Sequence, residues 1–193
     1  MTLYVYVDNS NIWIEGQRIQ AVRQGLAPDI RTALRERITA PWTYDFGRLY
    51  ELFCPAGESV GRSILFGSRP PENDSIWQRV RDADFELQTF DRSTFTNKEK
   101  QVDIALSTKM VEDSFNHMKV SNPDTAVLAA GDGDFLPTVQ SLQKRGFPVR
   151  VVSWSHAVSH QLRDTADQFI ELDPHFDYLT RATTTYRWAG HVS

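Results

Sequence analysis

Six short apolar, β-rich runs punctuate the chain, near 3–7 (LYVYV), 62–67, 85–90, 125–130, 148–153 and 168–171. Between them apolar residues recur at helical spacing, which predicts helices near 11–24, 29–38, 44–53, 73–81, 101–117, 134–145, 156–164 and 174–180. In the segment after Lys100, for example, Val102, Ala105, Leu106 and Met110 share one face. Strands that alternate with helices predict an α/β fold, a three-layer α/β/α sandwich around a mainly parallel sheet. The stretch 17–42 is long for a connection and is punctuated by Pro28 and Pro41, so it reads as a helical elaboration, a candidate lid, on the core. The pattern implies one domain over 1–180, and the threonines and Trp188 after Arg181 read as a tail over 181–193.

Two of the apolar runs end in oxygen-bearing side chains. The first is followed by Asp8-Asn9-Ser10-Asn11, and AVLAA by Gly131 and then Asp132-Gly133-Asp134. In an open parallel sheet the carboxyl ends of the strands form the ligand crevice, so acids there are well placed for a divalent cation. A third acid, Asp103, falls in the first turn of the helix predicted from 101. Taken singly, each has a plain structural reading: Asp8 as a helix cap, Asp103 as a partner of the helix dipole, Asp132 or Asp134 as a turn residue or cap. If the first run and the run at 125–130 are sheet neighbours, three chain segments deliver carboxylates to one crevice. Four unpaired carboxylates there would repel strongly, and a bound metal is the simplest compensation. Hard oxygen donors without a His or Cys cluster favour Mg²⁺ or Mn²⁺ over Zn²⁺. Asn11 would bond the phosphate or a metal-bound water, or simply cap the helix.

Composition narrows the context. The 193 residues are 40% hydrophobic and 11% aromatic, enough for a proper core. No run approaches the ~18 apolar residues of a membrane span, the start lacks a secretory pattern, and the single Cys54 excludes a disulfide framework, which together point to the cytoplasm. The net charge of −4 gives no general attraction to polyanions, so one must be held locally. Between Gln17 and Arg37, Arg18, Arg23, Arg31, Arg35 and Arg37 face only Asp29 and Glu36, as a solvated helical face or a phosphate-contacting flap. Lys98 to Lys100, with Arg92 nearby, is a weaker basic candidate. Trp13, Trp42 and Tyr44 are candidates for stacking on bases, with burial as the alternative. His156 and His160 lie four apart but lack a third ligand, which favours a surface or capping role. A phosphatase of the aspartate-nucleophile type would need a second Asp where Ser10 stands.

In order along the chain, VDNSN (Val7 to Asn11), KQVDIALSTKM (Lys100 to Met110), LAAGDGDFLPTVQSLQKRGFPVRVVSW (Leu128 to Trp154) and SHQLRDTADQFIEL (Ser159 to Leu172) resemble the NYN domains of the PIN-like nuclease superfamily, close to the LabA-like group. The resemblance spans most of the chain and implies a PIN-like fold and a metal-dependent endoribonuclease hydrolysing phosphodiester bonds. It assigns Asp8, Asp103, Asp132 and Asp134 as the acidic metal-binding cluster, with Asn11 beside Asp8. It makes Lys100 the lysine that precedes the helix acid; with Arg18 of the arginine-rich stretch and Lys109, Lys100 is a candidate substrate contact. RNA, taken as single-stranded, is the implied partner, with no membrane and a homodimer left open. Two departures stand out. Members often carry a further acid about one and a half turns beyond the position of Asp103, where this chain has Lys109, and the first loop reads Asp-Asn-Ser-Asn rather than Asp-Gly-x-Asn. The alternative is an RNA-binding or regulatory module of the same fold with weak catalysis.

Overall fold

A computed structural model of the protein describes residues 1–55, 57–68, 75–90 and 98–181, apart from the side chains of Ser68, Ser75 and residues 98–100. Six strands, β1 (Thr2–Asp8), β2 (Ser59–Ser68), β3 (Glu86–Phe90), β4 (Thr125–Ala129), β5 (Val149–Ser153) and β6 (Gln168–Glu171), pair in the order β3-β2-β1-β4-β5-β6. Every pairing is parallel, where a mainly parallel sheet was expected. This is the doubly wound order in which the direction of winding reverses between β1 and β4. Val7 lies opposite Ala129 across that junction, so the segments that carry Asp8 and Asp132 leave the sheet side by side.

Alternation along β1 sends Leu3, Val5 and Val7 to one face and Tyr4 and Tyr6 to the other, and a core forms on each. Helices α1 (Asn9–Arg23), α3 (Phe46–Phe53), α4 (Ser75–Asp82) and α8 (Phe176–Leu179) cover the first face, joined by Trp42, Tyr44 and Trp154. The other is covered by α5 (Lys98–Asn116), α6 (Leu136–Lys144) and α7 (His160–Thr165). The short α2 (Ile30–Glu36) packs on α1 and forms part of the elaboration expected at 17–42.

Local chemistry sets the boundaries. Asp8 accepts from the N–H groups of Ser10 and Asn11 at 2.9 and 3.2 Å, so α1 starts at once after β1. Ser159 caps α7, and residues 155–158 form a turn closed on the Trp154 carbonyl, which is why the helix expected at 156–164 starts at His160. β2 begins earlier than its apolar run because Ser59 and Val60 already pair with Thr2 and Leu3 of β1, with Gly61 passed over at a register shift between Leu3 and Tyr4. The tail with Trp188, residue Arg92 and the side chain of Lys100 lie outside the described residues.

Candidate functional site

The expected acids stand at the carboxyl ends of β1 and β4 and at the start of α5. Asp8 is 8% exposed, with its carboxylate on the α1 cap. By strand alternation it belongs to the face of Tyr4 and Tyr6, the face on which α5 packs. Asp103 is half-buried in the first helical turns of α5, which contacts both β1 and the 3-10 turn Gly133–Phe135. Asp132 accepts from the Asp134 N–H at 3.0 Å and so caps that 3-10 turn. Asp132 and Asp134 are both exposed, and among the described residues neither pairs with a cation. The capping reading therefore holds at Asp8 and Asp132, which stand at the carboxyl ends of neighbouring strands.

An open cleft of about 360 Å³ lies on the α1 side of this junction. Asn11 and Glu15, one turn apart on α1, line one wall, and Gly131, Asp132 and Gly133 line another. His156 and Ser159 come from the loop after β5, and Leu34 from α2. Among the described residues the buried Asn11 side-chain Oδ1 has no hydrogen-bond partner, a costly state for an amide oxygen.

Two glycines hold the cleft in shape. A Cβ on Gly131 would stand 2.4 Å from the Ala157 carbonyl oxygen, and the Gly131 carbonyl accepts from the Ser159 N–H at 2.8 Å. The loops after β4 and β5 are thereby fastened to each other. A Cβ on Gly16 would stand 2.1 Å from the Trp42 ring, so only glycine lets α1 lie this close to the aromatic group. Trp42 stacks on Phe176 at 5.2 Å, and Trp154 donates its indole N–H to the Ile12 carbonyl at 3.0 Å.

The structure decides several alternatives at the rim. Trp42 and Tyr44 are each 4% exposed core residues rather than stacking platforms, and the Tyr44 hydroxyl donates to the Asn9 side chain. Burial, with Asp8 nearby, drives the Tyr44 phenol far above its ordinary range. Trp13 keeps an exposed ring while its N–H bonds the Trp42 carbonyl at 2.7 Å. His156 is no surface residue: its side chain is 8% exposed and its Nε2 sits 3.0 Å from Glu15 Oε2. Glu15 also binds Arg18, whose Nε is buried without a partner. Burial raises the Glu15 carboxyl, but the hydrogen bonds from His156 and Arg18 outweigh it and hold the group below its usual range. Glu15 was within reach of sequence reasoning, being four residues after Asn11 and so on the same helical face. His156 was not, because 141 residues separate it from Glu15. Lys109 Nζ lies 3.4 Å from both Glu112 and Asp113.

Among the described residues, no three His, Cys, Asp or Glu side chains stand as a group able to enclose a metal ion. Mg²⁺ does not require such a cage, since it is commonly held by one or two carboxylates with waters and substrate phosphates completing the shell. Exposed Asp132 and Asp134, all-oxygen donors and the unpartnered Asn11 oxygen fit an ion held in that way.

The fold is a doubly wound α/β/α sandwich with acidic residues at its topological switch point. The NYN domain matches residues 3–173, nearly the whole chain, and the protein belongs to that family. NYN domains are in general nucleases that bind RNA and use divalent metals. The crystal structure of a protein of unknown function from Vibrio parahaemolyticus is similar in fold, with a TM-score of 0.66 at 17% identity over 93% of this chain and 96% of that one. No curated protein is similar enough to this chain to register as a relative. Among the described residues, no helix is long and apolar enough to cross a membrane.

Proposed function

We propose that this protein is a metal-dependent endoribonuclease of the cytoplasm that hydrolyses single-stranded RNA through one NYN domain. The observation that carries this reading is the buried, unpartnered Asn11 oxygen in a cleft shared with exposed Asp132. A donor is missing there, and a water or a hydroxyl on a phosphodiester substrate supplies one. Asp8, Asp103, Asp132 and Asp134 are the residues that would hold Mg²⁺ or Mn²⁺, with Asp132 and Asp134 offering carboxylates open to solvent. The chemistry a divalent ion supplies when bound in such a site is activation of water and neutralisation of phosphate charge. The protein's own part is orientation. The α1 cap fixes the Asp8 carboxylate, the Ser159 to Gly131 bond fixes the acid loop, and Asn11 accepts a hydrogen bond from what enters the cleft.

A second reading, an RNA-binding module without turnover, draws on Lys109 in the place where the family often has an acid. One experiment separates the two. Labelled single-stranded RNA is incubated with the protein in Mg²⁺ or Mn²⁺, beside EDTA and beside Asp132→Asn. Internal cuts that vanish with EDTA and fall at least about a hundredfold in the variant are expected, since even an outer-shell partner of a metal is worth ~10–100-fold. RNA bound but never cut by the folded wild-type protein would leave the binding module as the function.

A further inference from the structure

A second hollow, of about 200 Å³, adjoins the acidic cleft, and His156 lines both. Its walls come from the elements that wall the cleft: α1 contributes Ile19 and Val22, and α2 contributes Ile30, one helical turn before the Leu34 that faces the cleft. The two hollows are thus successive stations along one groove between the α1–α2 pair and the loop after β5. The second station is apolar on its walls and polar at its rim. There Asp173 accepts from the Ser155 N–H and hydroxyl, each at 2.8 Å, and Arg23 lies over the Phe176 ring at 4.7 Å while binding Asp177 at 3.0 Å.

We infer that this hollow is a nucleobase subsite, which receives one unstacked base of the RNA strand whose phosphodiester lies in the acidic cleft. The inference rests on the RNA reading given above. Size favours it, because the hollow is smaller than the ~300–1,000 Å³ pockets that take drug-sized ligands and suits a single heterocycle. Shape does too, since sequence-specific readers of single strands splay bases out against apolar or aromatic walls and bond their edges. The imidazole of His156, held by Glu15, stands between the two stations, where the strand must pass. Exposed Arg31, Arg35 and Arg37 lie on and just after α2, the helix that supplies Leu34 and Ile30 to the groove, with Arg35 paired to Glu36 at 3.0 Å. The rim also sets the preference. A carboxylate accepts from an exocyclic amine, as Asp and Glu do from cytosine N4, whereas uracil offers it only the ring N3–H, so adenine, cytosine and guanine are favoured over uracil.

The first test is methyl NMR of the full chain with adenosine, cytidine, guanosine and uridine, and with ribose 5-phosphate as the control lacking a base. The methyl signals of Ile19, Val22 and Ile30 are expected to move with the amine-bearing nucleosides, at least several-fold more weakly with uridine, and not with ribose 5-phosphate. Filling the hollow with Val22→Phe or, independently, Ile30→Phe is expected to abolish these shifts. In sequencing of cut ends from random RNA, each filled variant then loses a base preference that the wild type shows at a fixed offset from the cut. Methyl signals indifferent to all four nucleosides, or a base preference unchanged in a folded filled variant, would overturn the subsite. Nucleosides that bind in the hollow of a protein unable to cut RNA would sink the endoribonuclease reading and leave the subsite standing.

Discussion

Asp113 and Asp132 are both aspartates beside the central sheet, and the protein treats them in opposite ways. Asp113, on the buried side of α5, is fully inaccessible yet saturated with partners. It accepts from the Tyr6 hydroxyl at 3.0 Å and from Arg62 at 3.0 Å, with Lys109 Nζ at 3.4 Å. Arg62 reaches on to Glu86 through its Nε at 3.0 Å. Asp132 faces solvent with a backbone N–H as its hydrogen-bond donor and no cation among the described residues. A charge that serves the fold comes with its counter-charges built in, because an uncompensated buried ion is costly. Asp132, open to water, needs no such counter-charge.

Substitution at each site should make the contrast quantitative. Replacing Asp113 by Ala leaves the buried Tyr6 hydroxyl without its acceptor and Arg62 and Lys109 without their shared carboxylate. We expect a loss of about 3 kcal/mol of stability in denaturant unfolding, at the low end for a broken buried pair because Arg62 keeps Glu86 and some water. Cleavage per folded molecule should be unchanged. Asp132→Asn should do the reverse, abolishing cleavage as described while moving the unfolding midpoint by no more than ~0.5 kcal/mol, as surface substitutions do. Equal losses of stability in the two variants would erase the distinction.

Glu15 lies between these extremes, nearly buried and paired but on the cleft wall. Glu15→Gln should cost about 1–2 kcal/mol near neutral pH, well short of a fully buried pair. Because its folded carboxyl titrates below the usual range, its contribution is complete above the ordinary glutamate value of ~4.3 and is lost as pH falls through the lower folded value. Stability curves of wild type and variant should therefore run apart at neutral pH and converge in acid. A gap that persists unchanged into acid would mean that packing, not charge, holds the pair. Cys54 gives the smallest effect. Burial pushes its thiol up to about 11, so near pH 8 only about one molecule in a thousand carries the thiolate, and a thiol reagent should label the native protein far more slowly than the unfolded one.

The regular part of the fold was legible because each strand is a short apolar run and each helix carries its own periodicity. The positions of Asp8 and Asp132 were legible for a related reason: Asp8 ends β1 and Asp132 comes three residues after β4, so the local pattern puts both at the carboxyl ends of strands. What joins distant segments was not. Nothing near Asp113 announces that Tyr6 and Arg62 will surround it, and the wall of the cleft needs Glu15, Leu34 and His156 from three elements. Burial of Trp42 and Tyr44 was favoured in sequence only as a tendency of large aromatics, since those beside arginines look alike whether they face bases or a core. Trp42 packs on Trp154 and Phe176, more than a hundred positions away, and Tyr44 packs on Trp42 in turn.

The bond from the Ser159 N–H to the Gly131 carbonyl, with Ala157 packed where a side chain on residue 131 would go, has a consequence for inheritance. The acid loop and the loop after β5 behave as one module although a helix and a strand separate them in the chain. An insertion between Trp154 and His160 would displace Asp132 as surely as one between Ala130 and Asp134. Among descendants of this sequence, lengths and residue sizes in the two loops should therefore drift together, and a chimaera that exchanges only one of them should fold with its acids out of place.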